Sequence, residues 1–258
     1  MEETKVNEEK FTGKAGLYKK FRPSYPKKFL DYLYSQIGFS KDSIIADIGA
    51  GTGIFSKLLL ERGSKIYAVE PNKDMRQTSI NDLSEYKKFN FVNALAENTG
   101  LHEKSVDFVT VAQAFHYFDR DLFKQECQRI LRPSGKVVII WNDVDNESEL
   151  IQKSGDIIEK YRIHDRSGHQ RSGNLHEYSD FFVDGIYEYK TFKNDFLESR
   201  EQFIGGNLSA SYAPNEEEYP EKYHCFITEL NELFDKFCVN DILHFPQITK
   251  SYVGVMVT

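Results

Sequence analysis

Short apolar runs alternate along the first half of the chain with segments in which apolar residues recur every three or four positions. The runs lie near residues 43–48, 65–70, 88–93, 106–112 and 135–141, and the periodic segments lie near 53–62, 72–83 and 119–131. A short apolar run is typical of a strand buried on both faces, and the wider spacing is typical of an amphipathic helix. Their alternation predicts an α/β fold with a doubly wound, mostly parallel sheet.

The pattern changes after Asn142. We predict helices near 146–163, 198–206 and 215–237, a strand over 187–196 and a last strand over 247–257. The two late strands would complete a seven-stranded sheet, and the three helices would form a lid over its carboxyl edge. Because no low-complexity linker intervenes, we expect one domain: an arm and helix over 1–40, a binding core over 41–142, and lid helices with the last two strands over 143–258.

The junction between the first strand and the next helix is glycine-rich. Residues 47–53 read Asp-Ile-Gly-Ala-Gly-Thr-Gly. Glycine permits positive φ and lets a ligand lie on the backbone, and the first N–H groups of a helix face what is bound. A dinucleotide-binding loop needs its third glycine one residue later, where this chain has Ile54. Glu70, which ends the second strand, can accept hydrogen bonds from both hydroxyls of a ribose. The pattern predicts a ligand with a ribose and without a diphosphate.

This loop and several later segments resemble the class I S-adenosylmethionine-dependent methyltransferases. The later segments are Ala96-Glu97, Leu101, Ser105-Val106-Asp107, Ala112–Asp119 and Leu131–Ile140. The segment Ala112–Asp119 and the arm Tyr18-x-x-x-Arg22-Pro23-x-Tyr25-Pro26 are similar to a small-molecule subgroup that includes trans-aconitate methyltransferase. The resemblance implies a Rossmann-like methyltransferase fold and S-adenosylmethionine as the cofactor.

The resemblance also implies roles for the cofactor site. Gly49 and Gly51 would pass under the methionine part, and Glu70 would hold the ribose. Pro71 and Met75 would flank the adenine, although Met75 is equally consistent with helix packing. Arg22 could bind the cofactor's carboxylate with two hydrogen bonds. The full set of predicted cofactor residues is Tyr18, Arg22, Asp47, Gly49, Ala50, Gly51, Gly53, Glu70, Pro71, Met75, Ala96, Glu97 and Gln113.

A second group of residues is predicted to receive the methyl acceptor. His116 and Tyr117 are the catalytic candidates, and the acceptor contacts are predicted to be Tyr25, Trp141, Asn142, Arg166 and Tyr212. A hydroxyl or ammonium acceptor would need a base, for which His116 suits neutral pH, whereas a carboxylate acceptor is already ionised. The basic segment 162–171, which contains Arg166, could recognise an anionic carboxylate, but it is also consistent with a solvated loop.

The net charge, the lengths of the apolar runs and the cysteine spacing argue against several classes of function. The net charge of −7 argues against nucleic-acid binding, and no apolar run approaches 18 residues, so we expect no membrane span. The three cysteines lack metal-binding spacing, which predicts no metal site and a cytoplasmic location. We expect a monomeric or homodimeric methyltransferase acting on a small molecule. The alternatives are an NAD-dependent oxidoreductase, a catalytically silent cofactor-binding protein, and a lipid-quinone methyltransferase at a membrane surface, which no basic amphipathic helix supports.

Overall fold

The computed structural model describes residues 24–163, 178–208 and 213–256. These residues form two compact units. One unit comprises 24–142, 178–192 and 249–256, and the other comprises 143–163, 193–208 and 213–248. The first long segment therefore ends at Asn142, where the sequence pattern changes. The division into arm, core and lid remains a prediction.

The described elements follow one another as strands and helices in near-regular alternation over the first half. They are α1 (Lys27–Tyr32, continued by a π-helical turn, Leu33–Ile37), β1 (Ile44–Ile48), α2 (Ile54–Glu61), β2 (Lys65–Val69), α3 (Lys73–Leu83), β3 (Phe89–Val92), β4 (Val106–Ala112), α4 (Arg120–Ile130), β5 (Leu131–Val144), α5 (Glu149–Tyr161), β6 (Glu188–Lys193), β7 (Phe196–Ser199), α6 (Arg200–Leu208), α7 (Pro220–Phe237), β8 (Ile242–Phe245) and β9 (Gln247–Val255). Short 3₁₀ turns occupy Phe115–Tyr117 and Val183–Gly185.

Seven strands form the main sheet in the order β3-β2-β1-β4-β5-β9-β6. The neighbouring pairs β1–β2, β1–β4, β2–β3 and β4–β5 are parallel. This confirms the predicted doubly wound, seven-stranded α/β sheet. The strand order reverses between β1 and β4, and in such sheets a crevice for ligands opens beyond the carboxyl ends of the strands at that point.

Both faces of the sheet are covered, which explains why its strands are almost continuously apolar. Alternate residues of β1 point to opposite faces: Ile45 packs with Phe29 and Phe55 in one hydrophobic cluster, whereas Ala46 and Ile48 belong to the other. All three of these β1 side chains are fully buried. The strand pattern therefore reflects burial from two sides.

Side-chain caps fix where two helices of the first unit begin. The Asn72 side chain accepts hydrogen bonds from the backbone of Asp74 and Met75, both at 3.0 Å, and so caps α3. Asp119 caps α4 in the same way, accepting from Asp121 and Leu122 at 3.1 Å. A cap of this kind stabilises a helix by about 1 kcal/mol. Both caps lie just beyond strand ends, so they also set the loops at the carboxyl edge.

The second unit contains α5, α6, α7 and the antiparallel pair of strands β7 and β8. The single strand predicted over 187–196 is wrong, because β6 ends at Lys193 and β7 begins in another sheet. Asp195 interrupts the strand by accepting a hydrogen bond from the backbone of Gln247 at 3.3 Å. The helix predicted from 215 begins instead at Pro220, a residue favoured in the first turn of a helix.

Candidate functional site

The glycine loop lies at the carboxyl end of β1, beside the end of β2. The backbone N–H groups of Gly49 and Ala50 both donate to the carbonyl of Val69, at 2.9 and 3.1 Å. The loop glycines at 49, 51 and 53 have φ values of 67°, 56° and 80°, a region that side chains other than glycine rarely adopt. The loop is thus a tight turn held against the neighbouring strand.

The loop glycines serve two different purposes. A Cβ atom on Gly49 would lie 2.5 Å from that of Ala114, and one on Gly53 would lie 2.7 Å from Ser79. These two positions are glycine because neighbouring segments pack directly on the backbone. Among the residues that the structure describes, a Cβ atom on Gly51 would meet nothing within 4 Å. Gly51 therefore faces open space, which a ligand could occupy.

Glu70 is tied to the same loop. Its Oε2 accepts a hydrogen bond from the N–H of Gly51 at 2.9 Å, and its Oε1 accepts one from the N–H of Asn72 at 2.9 Å. Burial raises the pKa of the Glu70 carboxyl, and the two backbone donors oppose that rise. Because a carboxylate offers about four lone-pair positions, Glu70 can still accept bonds from two ribose hydroxyls. The geometry is compatible with the predicted ribose contact, which remains a prediction.

Asp47 lies beneath the loop and is only 1% exposed. Its two carboxylate oxygens accept hydrogen bonds from Ser56 at 2.6 Å and from Thr110 at 2.8 Å. Burial raises the pKa of Asp47 to about 6, and these hydroxyl donors oppose the rise. Asp47 thus joins β1 to α2 and β4 under the loop. Its direct contact with the cofactor remains a prediction.

Of the residues predicted around the adenine, Pro71 and Met75 lie at the start of α3. Met75 and Ala96 are both buried, at 3% and 5% exposure. Arg76, which the sequence reading missed, donates to the carbonyl of Pro71 at 3.0 Å and so fixes the backbone before the helix. Glu97 accepts a hydrogen bond from the N–H of Asp119 at 2.9 Å. Glu97 therefore already holds the start of α4, and its contact with adenine remains a prediction.

Aromatic side chains meet beyond the ends of β4 and β5. The ring of His116 lies 3.8 Å from that of Tyr117 and 5.3 Å from that of Trp141. The indole N–H of Trp141 donates to the hydroxyl of Tyr178 at 2.8 Å. The structure thus brings together three residues predicted for the acceptor site and adds Tyr178. The sequence carried no signal for Tyr178, because 37 residues separate it from Trp141.

Gln113 and Asn142 lie beside this aromatic group. Gln113 has a φ of 65°, an unusual value for a residue with a side chain. Its side-chain amide donates to the backbone carbonyl of Asn142 at 3.2 Å. The Asn142 amide nitrogen donates to the carbonyl of Ser24 at 3.3 Å, and its oxygen accepts from Thr249 at 2.6 Å. Sequence reasoning identified neither Ser24 nor Thr249.

Tyr25, another predicted acceptor contact, packs against α2. Its ring lies edge-on to that of Phe55 at 4.9 Å.

Four predicted site residues, Tyr18, Arg22, Arg166 and Tyr212, lie outside the described residues. Within the described ranges, no group of His, Cys, Asp and Glu side chains is arranged to hold a metal ion. In the same part of the chain, no helix is both long and apolar enough to cross a bilayer.

Comparison with known proteins agrees with this geometry. Residues 46–139, which run from β1 to β5, match the model of a methyltransferase domain. This segment is therefore similar to methyltransferase domains, which agrees with the resemblance of the glycine loop to class I S-adenosylmethionine-dependent methyltransferases.

Two related proteins match this chain over different lengths. An uncharacterized methyltransferase of Mycobacterium bovis is 34% identical over 148 residues, which cover 57% of this chain and 58% of that protein. The chain thus matches little more than half the length of this relative. An uncharacterized methyltransferase of Schizosaccharomyces pombe is 25% identical over 239 residues, covering 91% and 92% of the two chains.

Solved structures support the fold. A putative type II methyltransferase from Anaeromyxobacter dehalogenans superposes with a TM-score of 0.62 at 20% identity, covering 92% of this chain and 99% of that one. At that identity, the likeness concerns the fold alone.

Proposed function

We propose that this chain transfers the methyl group of S-adenosylmethionine to a small-molecule acceptor. One observation carries the proposal. Gly51 faces open space, and its N–H is bonded to Glu70, the carboxylate predicted to hold the ribose. A nucleoside whose ribose lies against Glu70 could therefore extend its amino-acid portion across the bare backbone of Gly51.

The charges of the loop favour a cationic ligand over a dinucleotide. Asp47 lies under the loop and Glu70 lies beside it, and both are buried carboxyl groups. A pyrophosphate would bring further negative charge to this place, whereas a sulfonium and an ammonium group would bring positive charge. This supports S-adenosylmethionine over NAD as the ligand, in agreement with the glycine spacing.

S-adenosylmethionine, when bound, supplies a methyl group on a positively charged sulfur. The protein's part is to align the acceptor with that methyl group and to exclude water, so positioning should provide most of the acceleration. The aromatic group of His116, Tyr117 and Trp141 offers a wall for an acceptor beyond β4 and β5. If the acceptor is a hydroxyl or an ammonium group, His116 would take its proton.

In the second form of the proposal, the methyl acceptor is a carboxylate. Such an acceptor is ionised at neutral pH and needs no base, so His116 would only line the pocket. The support comes from the sequence of the segment 162–171, in which Arg162, Arg166 and Arg171 could bind an anion. Replacement of His116 by glutamine distinguishes the two forms, because it should slow transfer to a hydroxyl or an amine and spare transfer to a carboxylate.

Calorimetric titration tests the cofactor directly. We expect S-adenosylhomocysteine to bind and NADH to give no heat of binding, whereas the reverse result would favour the oxidoreductase alternative. A screen of small carboxylic acids, phenols and amines with methyl-labelled donor then identifies the acceptor class. Binding without transfer to any acceptor in the screen would favour a catalytically silent cofactor-binding protein.

A further inference from the structure

Asn142 joins four segments of the first unit. It lies near the end of β5, and its backbone carbonyl accepts a bond from Gln113, just beyond β4. Its side-chain amide bonds to Thr249 in β9 and to Ser24, which precedes α1. The amide thus connects a central strand to the backbone that leads into the first helix.

The bonds to Ser24 and Thr249 are compatible with one orientation of the amide. A backbone carbonyl such as that of Ser24 only accepts hydrogen bonds, so the amide nitrogen must face it. The amide oxygen then faces Thr249, whose hydroxyl lies 2.6 Å away. Thr249 is fully buried, at 0% exposure. Its hydroxyl donates to that oxygen and so stabilises the orientation of Asn142 that the Ser24 carbonyl requires.

The backbone at Ser24 continues into Tyr25, which packs against the helix that follows the glycine loop. The ring of Tyr25 meets that of Phe55 edge-on at 4.9 Å, and Phe55 is in the first turn of α2. Gly53, immediately before that turn, is the N-cap of α2. The position of Tyr25 beside the loop thus depends on where Ser24 is held.

We propose that Thr249 is a positioning residue for the cofactor site. By orienting the Asn142 amide, it fixes Ser24 and Tyr25 against α2 as one wall beside the glycine loop. Thr249 acts through Asn142 and need not contact the cofactor. The inference rests on the proposed function only in taking the ligand to be S-adenosylmethionine.

Replacement of Thr249 by valine tests this role, because valine keeps the shape of threonine and removes the hydroxyl. We expect the dissociation constant for S-adenosylhomocysteine to rise about two- to tenfold, the range for one lost hydrogen bond. The KM for S-adenosylmethionine should rise to a similar degree, with kcat nearly unchanged. Thr249→Ser, which restores the hydroxyl, should return both constants towards those of the natural protein. Equal constants for the valine and natural proteins would overturn the proposal, as would a serine variant as weak as the valine one.

A double-mutant cycle separates this role from simple packing. Asn142→Leu removes both amide bonds, so Thr249→Val should add little further weakening in the Asn142→Leu background. Additive effects of the two substitutions would mean that Thr249 does not act through Asn142.

A measurement without ligand keeps the inference separate from the proposed function. Hydrogen exchange of the amides at 25–30 should be faster in Thr249→Val than in Thr249→Ser and the natural protein. If the natural protein fails to bind S-adenosylhomocysteine, the cofactor assignment falls while this exchange pattern still reports on the contact. Unchanged exchange in the valine variant would reject the contact itself.

Discussion

The carboxyl edge of the sheet has two halves that are built differently. The loop half, beyond β1 and β2, consists of the glycine loop 49–53 and Glu70. The aromatic half, beyond β4 and β5, consists of Gln113, the turn Phe115–Tyr117 and Trp141 with Tyr178. The loop half presents backbone to a ligand and is held by backbone hydrogen bonds to Val69 and Glu70. The aromatic half presents side chains held by other side chains.

The two halves should differ in how many substitutions they tolerate. A loop made from backbone tolerates few substitutions, because its conformation depends on glycine at fixed places. A wall made from side chains can change its shape and polarity while the strands beneath it stay the same. We therefore expect changes in the loop half to affect cofactor binding, and changes in the aromatic half to affect stability or the choice of acceptor.

The largest effect is expected from Gly51→Val. The added side chain would fill the open space above the loop, so the affinity for S-adenosylhomocysteine should fall by at least about 100-fold. The backbone strain of about 1–3 kcal/mol leaves most of a typical folding stability intact. Calorimetric titration measures the affinity, and circular dichroism checks that the variant is folded.

Gly100→Val is a matched control for that substitution. Gly100 also has a positive φ, of 69°, and a Cβ there would likewise meet no described residue within 4 Å. It should therefore carry the same backbone strain without affecting ligand binding. An equal loss of affinity in both variants would attribute the effect to strain and remove the case for a ligand above Gly51.

Glu70→Ala comes next in expected size. It removes the carboxylate predicted to accept the ribose hydroxyls, so binding of S-adenosylhomocysteine should weaken by about 1–3 kcal/mol, the usual cost of lost charged hydrogen bonds. Glu85→Ala, at an exposed acidic residue of the same unit, should leave the affinity unchanged. A Glu70→Ala protein that binds as tightly as the natural one would show that the ribose lies elsewhere.

The loop half could be predicted from the sequence because its signals are local. The glycine spacing and the run ending in Glu70 each depend on residues close together in the chain, so they can be recognised without knowledge of the fold. The sequence could not show which loop glycines pack against neighbouring segments and which one faces open space. Gly49 packs against Ala114, and Gly53 packs against Ser79. Those contacts exist only once the chain has folded.

The aromatic half could be predicted only in part. His116 and Tyr117 follow the fourth strand and Trp141 ends the predicted fifth strand. Because the carboxyl ends of parallel strands share one edge of the sheet, these three residues could be expected to lie near one another. Tyr178 and Thr249 could not be inferred, because their partners lie 37 and 107 residues away and no periodic pattern links them. In the second unit, Asp195 ended a strand whose apolar pattern appeared to continue, since side-chain hydrogen bonding prevailed over strand propensity.

Tyr178→Phe tests how the aromatic half is held. It leaves the indole N–H of Trp141, which is only 9% exposed, without its hydroxyl partner. An unsatisfied buried donor should lower the free energy of unfolding by about 1–2 kcal/mol, measured by urea denaturation. Affinity for S-adenosylhomocysteine should stay within about twofold, because the loop half is untouched. A loss of affinity without a loss of stability would contradict the separation of the two halves.

The smallest expected effect concerns Asp47, which lies in β1 beneath the loop half. Like the residues of the aromatic half, it is held by side chains, those of Ser56 and Thr110. Its pKa is about 6 in the folded protein and near 3.8 when exposed, so the folded state binds the proton more tightly. Stability from the protonated carboxyl is therefore fully present below pH 3.8 and is lost as pH rises through about 6.

Asp47→Asn removes this titration and keeps an amide that can bond to both Ser56 and Thr110. The free energy of unfolding of the natural protein, relative to that of the variant, should fall by about 1 kcal/mol between pH 5 and pH 8. Urea denaturation of both proteins at the two pH values measures this difference. A constant difference would mean that the Asp47 carboxyl ionises as it does in water, and that burial under the loop does not hold its proton.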